Sequence, residues 1–397
     1  MINETYKAML GGKSVIRTLS EYATARGTEI GYDNVFDYSL GNPSVPCPSS
    51  FTKAMIDMYE TADPVALHGY SPSLGNPEAC RTIAESLNRR FGMDYTAGHI
   101  FPTTGAAGAL AHALRAVTKP GDEVLTFAPY FPEYHPYVEG AGARLTVVPA
   151  DIESFQINFA AFEAALNPEV TVVLINTPNN PSGAVYSAET LDRLAGILRA
   201  KQAEYGHDIF LISDEPYREI VFDGGTQPYP AKFYDNTLTC YSWSKSLSMP
   251  GERIGYVLVP QSAEDWARVY AAVAGAGRGI GYINAPSLFQ HVAAACDGLT
   301  ADLSVYETNR NRLYRGLTEM GYTCVKPDGT FYLIFQAPDL DSMAFSKRAM
   351  KYDLLVAPTD TFGCPGYLRV AFCVDTGRVE KALPVFRRLA QEYGLCK

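Results

Sequence analysis

From about residue 80 onward, short runs of apolar and β-branched residues alternate with longer amphipathic stretches. The runs at 123–128, 144–148, 171–176, 209–213, 238–242 and 254–259 carry few charges, as strands buried on both faces do. Between them, residues 106–118, 158–166, 188–205 and 263–274 have helical spacing of their apolar positions. This alternation predicts an α/β fold built on a mostly parallel sheet flanked by helices. The pattern changes in the last quarter. Long helical stretches around 285–320 and 376–394 flank short strand-like runs at 330–335 and 367–372, which predicts a smaller α+β unit. The expected division is a large domain over 49–288 and a small C-terminal domain over 289–397. Residues 1–48 are expected to pack with the small domain or on a partner subunit, with Gly41-Asn42-Pro43 as the crossing point.

Composition narrows the partners. The chain has 397 residues and a net charge of -10, a balance that argues against a nucleic-acid surface or an anionic membrane. Its eight cysteines include no C-x-x-C pair, so reduced core thiols are expected and a zinc site is not. The N-terminus lacks the apolar region of a signal peptide, and no apolar run approaches the ~20 residues of a spanning helix. A cytoplasmic location is the expectation.

Chemistry-bearing residues cluster where strands end. Thr103-Thr104-Gly105-Ala106-Ala107-Gly108 opens a helix with small residues, so main-chain N–H groups there can approach an anion. Asp214 ends an apolar strand, the end at which open α/β sheets place ligands, and Tyr217 follows it by three. Asn180 stands in Thr177-Pro178-Asn179-Asn180-Pro181-Ser182-Gly183, an irregular loop that prolines and glycine fix after a strand. Pro129-Tyr130-Phe131 puts aromatic rings at another strand end, where one can stack on a flat ligand. Lys245 sits in Ser242-Trp243-Ser244-Lys245, with Arg253 eight residues on. An amine, a carboxylate, a phenol, an amide, hydroxyls and a guanidinium together suit the holding of pyridoxal phosphate and a Schiff base to it.

Taken in order, the N-P-S-G, D-x-x-Y and S-x-S-K-x7-R motifs resemble those of the fold-type I pyridoxal-phosphate enzymes, specifically the class I/II aminotransferases. The resemblance runs from about Gly41 to Arg369. It implies a large domain with a sheet of the seven-stranded type, a smaller α+β domain, and pyridoxal 5′-phosphate as cofactor. Lys245 would carry the Schiff base and shuttle the proton, and Asp214 would pair with the pyridine nitrogen. Tyr217 and Asn180 would bond the ring's phenolic oxygen, with Asn180 also near the substrate carboxylate. Phe131 would stack on the ring. Gly105 and the amides of Ala106 and Ala107, with Ser242, Ser244 and Arg253, would hold the phosphate. Tyr70 is similar to a tyrosine that reaches the phosphate of the other subunit, which implies a homodimer with shared sites. Arg369 resembles the arginine that clamps the substrate α-carboxylate, and Gly41 would lie beside that carboxylate through its backbone.

The implied activity is transfer of an α-amino group from an L-amino acid to a 2-oxo acid by a ping-pong mechanism. A C–S lyase or other elimination enzyme on the same scaffold is the alternative, and a non-enzymatic cofactor-binding regulator the next. Two departures weigh against aspartate specificity. The helix start at Gly105–Gly108 lacks the lysine of many aspartate-specific relatives. Arg278, in a predicted loop, stands one position out of register with the partner-subunit arginine of others. Tyr130, Tyr134 and Tyr282 are instead expected to line a pocket for neutral or aromatic side chains.

Overall fold

The computed structural model describes residues 2–9 and 15–397. After a short strand β1 (Phe36–Asp37), seven strands build the larger sheet. They are β2 (Ile100–Thr103), β3 (Glu123–Phe127), β4 (Arg144–Val148), β5 (Val170–Asn176), β6 (Phe210–Asp214), β7 (Thr237–Ser242) and β8 (Gly255–Leu258). The spatial order is β2-β8-β7-β6-β5-β3-β4, with β3 to β7 parallel and β8 antiparallel to both its neighbours. Every residue of β3, β6, β7 and β8 is buried, because helices cover both faces. On one face, Leu110 and Leu114 of the helix Gly105–Val117 and Val273 of the helix Trp266–Ile280 pack on Val124, Leu174 and Ile212. On the other, Leu191, Leu194 and Leu198 of the helix Ala188–Tyr205 pack on Leu125, Val173 and Leu211.

A second sheet lies toward the C-terminus. It comprises β9 (Cys324–Val325), β10 (Tyr332–Gln336), β12 (Ala357–Pro358) and β13 (Tyr367–Ala371), antiparallel in the order β12-β13-β10-β9. The helices Ser304–Glu319 and Thr376–Glu392 cover it through Leu313, Leu317, Phe386 and Leu389. Strand β11 (Leu354–Leu355) pairs with β1, so the N-terminal segment joins this half of the molecule. Leu19 and Ala23 of the helix Val15–Ile30 bury against Leu355 and Ala357. Among the described residues, no helix is long and apolar enough to cross a membrane.

The structure departs from the sequence reading at three places that matter. β2 was missed: it has four residues, one of them Pro102, too short and too broken to stand out. The helical stretch 285–320 is two helices, Ser287–Ala295 and Ser304–Glu319, parted by a turn in which Gly298 takes φ +81°. The helix expected to stop at residue 274 runs on to Ile280 through Gly275, Gly277 and Gly279. Glycine lowers helix propensity, but here it permits contact. A Cβ on Gly277 would stand 2.4 Å from His112 Cε1 of the neighbouring helix. Arg278 therefore lies in a helical last turn, exposed, and not in a loop.

Candidate active site

The parallel strands β3, β5, β6 and β7 all end on the same edge of the large sheet, and the residues just past them line a cavity of about 420 Å³. Its far wall comes from β10, β13 and the segment around Gly41.

Asp214, the last residue of β6, is the acidic group of the floor. Its Oδ2 accepts a hydrogen bond from the Tyr134 hydroxyl at 2.7 Å. Its Oδ1 is buried with no partner. Burial, chiefly, pushes its pKa up to about 7, against the Tyr134 bond, which pulls it down. Asn176, the last residue of β5, braces this corner from beside it. Its Nδ2 donates to the Asp214 carbonyl at 2.9 Å, and its Oδ1 accepts from the Asn180 main-chain N–H at 2.7 Å. The loop carrying Asn180 is thereby tied to the strand beside it.

Lys245 stands in the turn after β7. Its Nζ donates to the Gly41 carbonyl at 2.7 Å and lies 5.5 Å from the Phe331 ring centre. Burial lowers its pKa to about 8, and the nearby Arg369 and Arg253 cations push the same way. Arg369, in the middle of β13, is buried between the rings of Tyr332 and Phe362 at 4.5 and 5.0 Å. Its Nη1 donates to Asn180 Oδ1 at 3.0 Å and its Nη2 to the Ser39 carbonyl at 2.6 Å, while Nε has no partner. No carboxylate among the described residues pairs with it, and a buried cation so placed calls for an anion.

Against the same cavity, Arg253 and Gly105 form a cradle. Arg253 adopts a left-handed backbone with φ +52°, and its Nη1 donates to the Pro250 carbonyl at 2.9 Å. Gly105 begins its helix at φ +77°, and a Cβ there would come within 3.0 Å of Arg253 Nη2. Ala106, Ala107, Ser242 and Ser244 line the cavity beside them. A guanidinium, two hydroxyls and a helix N-terminus converging on one spot suit a phosphate.

Thus Gly41, Ala106, Ala107, Phe131, Asn180, Asp214, Tyr217, Ser242, Ser244, Lys245, Arg253 and Arg369 all line one cavity. Gly105 stands behind it. Tyr70 does not reach it; its side chain is fully exposed at 100%. Arg278 and Tyr282 are exposed and also away from it. The pocket expected from Tyr130 and Tyr134 is corrected. Tyr134 lies beneath Phe131, committed to Asp214, and the Tyr130 hydroxyl bonds His135 Nε2 at 2.8 Å. Asn176, Tyr137, Tyr332, Ile16, Leu40 and Glu133 line the cavity without having been singled out.

The family model for class I and II aminotransferases matches residues 33–386. The chain is similar to a solved amino transferase from Eubacterium rectale, 48% identical over 99% of both chains, with a TM-score of 0.97. It is also similar to the solved aspartate aminotransferase of Thermotoga maritima, 26% identical over 98% of this chain and 99% of that one, with a TM-score of 0.86. Among sequence relatives, the aspartate/prephenate aminotransferase of Thermus thermophilus is 28% identical, covering 81% of this chain and 83% of the relative. The aromatic-amino-acid aminotransferase 2 of Thermococcus litoralis is 28% identical, covering 91% of this chain and 93% of the relative.

Proposed function

This chain belongs to the class I and II aminotransferases, and on that premise we propose that it moves the α-amino group of an L-amino acid to a 2-oxo acid by a ping-pong mechanism. Pyridoxal 5′-phosphate is the cofactor the cavity fits. The observation that carries this reading is the bare, buried Oδ1 of Asp214, an acceptor with nothing to accept from, in the same cavity as the Arg253–Gly105 cradle. A cationic ring N–H satisfies the first and a phosphate the second. When bound, the cofactor supplies a carbonyl carbon that takes up the amino group and a ring that withdraws electrons.

The chain's own residues do the rest. Asp214 holds the ring nitrogen's proton, and that cation brings the carboxyl back toward its ionised form. Tyr134 fixes the carboxylate through Oδ2, which would leave Oδ1 for the ring nitrogen. Phe131, on the cavity wall, would cover one face of the ring. Tyr217 and Asn180 donate to the ring's phenolic oxygen. Arg253, Ser242, Ser244 and the main-chain N–H groups of Ala106 and Ala107 hold the phosphate, with Tyr70 of a partner subunit. Arg369 takes the substrate α-carboxylate on its planar fork, with Gly41 and Asn180 alongside. Lys245, with a pKa near 8, has a free amine within reach at neutral pH. It would take the proton from the substrate α-carbon and deliver it to the cofactor's former carbonyl carbon.

We take 49–288 as the cofactor-binding domain and 289–397 as the small domain, with 1–48 crossing between them or onto a partner, in a cytoplasmic homodimer. Ile16, Leu40 and Glu133 are among the residues that line the cavity. Two apolar side chains and an anion disfavour a distal carboxylate. Neutral side chains, small or aromatic, are the preferred donors. The test is a panel of half-reactions with alanine, phenylalanine and aspartate, read by loss of the cofactor's visible band. The expected result is faster turnover of the neutral donors and formation of the matching 2-oxo acid. Release of ammonia from a β-substituted donor such as cysteine, with the cofactor's visible band retained, overturns the transfer reading. A hundredfold lead for aspartate that vanishes in Arg278→Ala overturns the neutral pocket and makes Arg278 of a partner subunit the second clamp.

A further inference from the structure

Tyr332 carries none of the motifs, yet three parts of the site meet on it. Its hydroxyl lies 3.1 Å from that of Tyr217. Its ring lies 4.5 Å beneath the Arg369 guanidinium. Its hydroxyl also fills the space beside Gly41, where a Cβ would stand 1.8 Å from Oη. The side chain is buried and lines the cavity.

Each of the two phenols has one proton to give. A Tyr217 that donates to Tyr332 has none left for the cavity; a Tyr217 that accepts from Tyr332 does. The charged and titratable groups around the pair favour the second arrangement. Arg369 from β13 lies against the Tyr332 ring and makes that phenol the readier donor, although burial, the larger influence, raises its pKa and Cys373 adds to that. Tyr217 is also raised by burial first and then by Tyr332; Arg369 lowers it too, but the Asp214 carboxylate, which does not act on Tyr332, adds to the rise and makes Tyr217 the poorer donor of the two.

We propose that Tyr332 is a positioning residue that donates to Tyr217 Oη and so turns the Tyr217 proton into the cavity, toward the phenolic oxygen of a bound pyridoxal ring. This rests on the cofactor reading above. A phenol that accepts a hydrogen bond gives a stronger one in turn. Tyr217 then holds the ring oxygen as an anion, which lowers the pH at which the proton shared between that oxygen and the Lys245 nitrogen is lost.

The experiment titrates the visible absorbance of the cofactor-loaded protein against pH. Three forms are compared with the parent: Tyr332→Phe, Tyr306→Phe, and the chain with 3-fluorotyrosine at position 332. Tyr306 is a buried phenol of the same cluster whose ring meets Phe331 at 5.4 Å, and it serves as the packing control. In Tyr332→Phe the midpoint is expected to rise by about half a pH unit or more, as loss of one neutral hydrogen bond gives. The fluorinated phenol is a stronger donor and moves the midpoint down, and it decides the matter if Tyr332→Phe does not fold. Tyr306→Phe leaves the midpoint in place. A parent that shows no titrating visible band overturns the cofactor reading itself. A parent that titrates, with an unmoved midpoint in both Tyr332 forms or an equal shift in Tyr306→Phe, overturns the role of Tyr332 alone.

Discussion

Lys245 destabilises the cofactor-free protein, and the size of that effect follows from its surroundings. Its pKa drops from an ordinary 10.5 to about 8, which corresponds to roughly 3 kcal/mol against holding the ammonium in the fold at neutral pH. Lys245→Met removes that cost while nearly keeping the shape. It also removes the Nζ bond to the Gly41 carbonyl, on the order of 1.5 kcal/mol for a charged donor. The desolvation cost wins, and the net is about 1–2 kcal/mol in favour of the variant. For a chain of this length that is a rise of roughly 1–2 °C in the apo melting temperature. The pH dependence is the sharper test. An unfolded lysine keeps its proton to about 10.5, whereas the folded one loses it near 8. Between those values the unfolded chain binds more protons, so the parent gains stability as pH rises. The variant's advantage is full below pH 8. By about pH 9.5 the remaining cost is roughly 1.4 kcal/mol, most of which the lost bond of the now neutral amine, about 1 kcal/mol, offsets, and the two curves nearly meet. Scanning calorimetry or dye-monitored melting of both apoproteins at about pH 7 and 9.5 measures this. An advantage unchanged between the two pH values, or a variant less stable at neutral pH, refutes the reasoning.

Asp214→Asn replaces the carboxylate that faces the ring nitrogen, and cofactor retention in equilibrium dialysis is expected to weaken by at least about tenfold, ~1.4 kcal/mol. Unchanged retention assigns Asp214 to packing. Arg369→Lys keeps the charge and loses the fork, so kcat/KM falls by at least about tenfold, on the order of 1.4 kcal/mol, with cofactor absorbance nearly unchanged. An equal loss of cofactor binding places Arg369 at the phosphate instead. Val65 and Tyr70, at 82% and 100% exposure, leave large apolar surface uncovered in the single chain. Sedimentation is expected to show a dimer, and an active monomer alone sinks the shared-site reading.

What was legible in the sequence is what local pattern encodes. The helix Ala188–Tyr205 was read at its true bounds because its apolar spacing and Ser187 cap agree. Asp214, Asn180 and Ser242 were found because each closes or follows a clear apolar strand, and strand ends are where this architecture gathers ligands. The residues missed are those whose meaning comes from distant pairing. Tyr332 sits in the run Phe331-Tyr332-Leu333-Ile334-Phe335, which reads only as a strand. It reaches the site because Ile334 pairs with Arg369 across β10 and β13, which makes Tyr332 the diagonal neighbour of the cation. Tyr134 looked like pocket lining because its partner, Asp214, is 80 positions away. Glycines in the helix Trp266–Ile280 looked like its end, since the contact with His112 that excuses them is invisible in one dimension.

The pairing of β1 with β11 has a consequence for how this chain is made. Phe36 finds its partner only in Leu354, and β2 only in β8, when Ile100 meets Leu258. At ribosomal rates of about 5–20 residues per second, the first of these contacts waits roughly 15–60 seconds for its other half to emerge. Through that interval the parallel strands β3 to β7 can assemble in order, but the N-terminal segment stays without its place. Nascent chains should therefore lean on chaperones with their N-terminal segment rather than with the sheet, and a copy stalled before residue 354 holds a large domain whose entrance lacks β13 and Arg369.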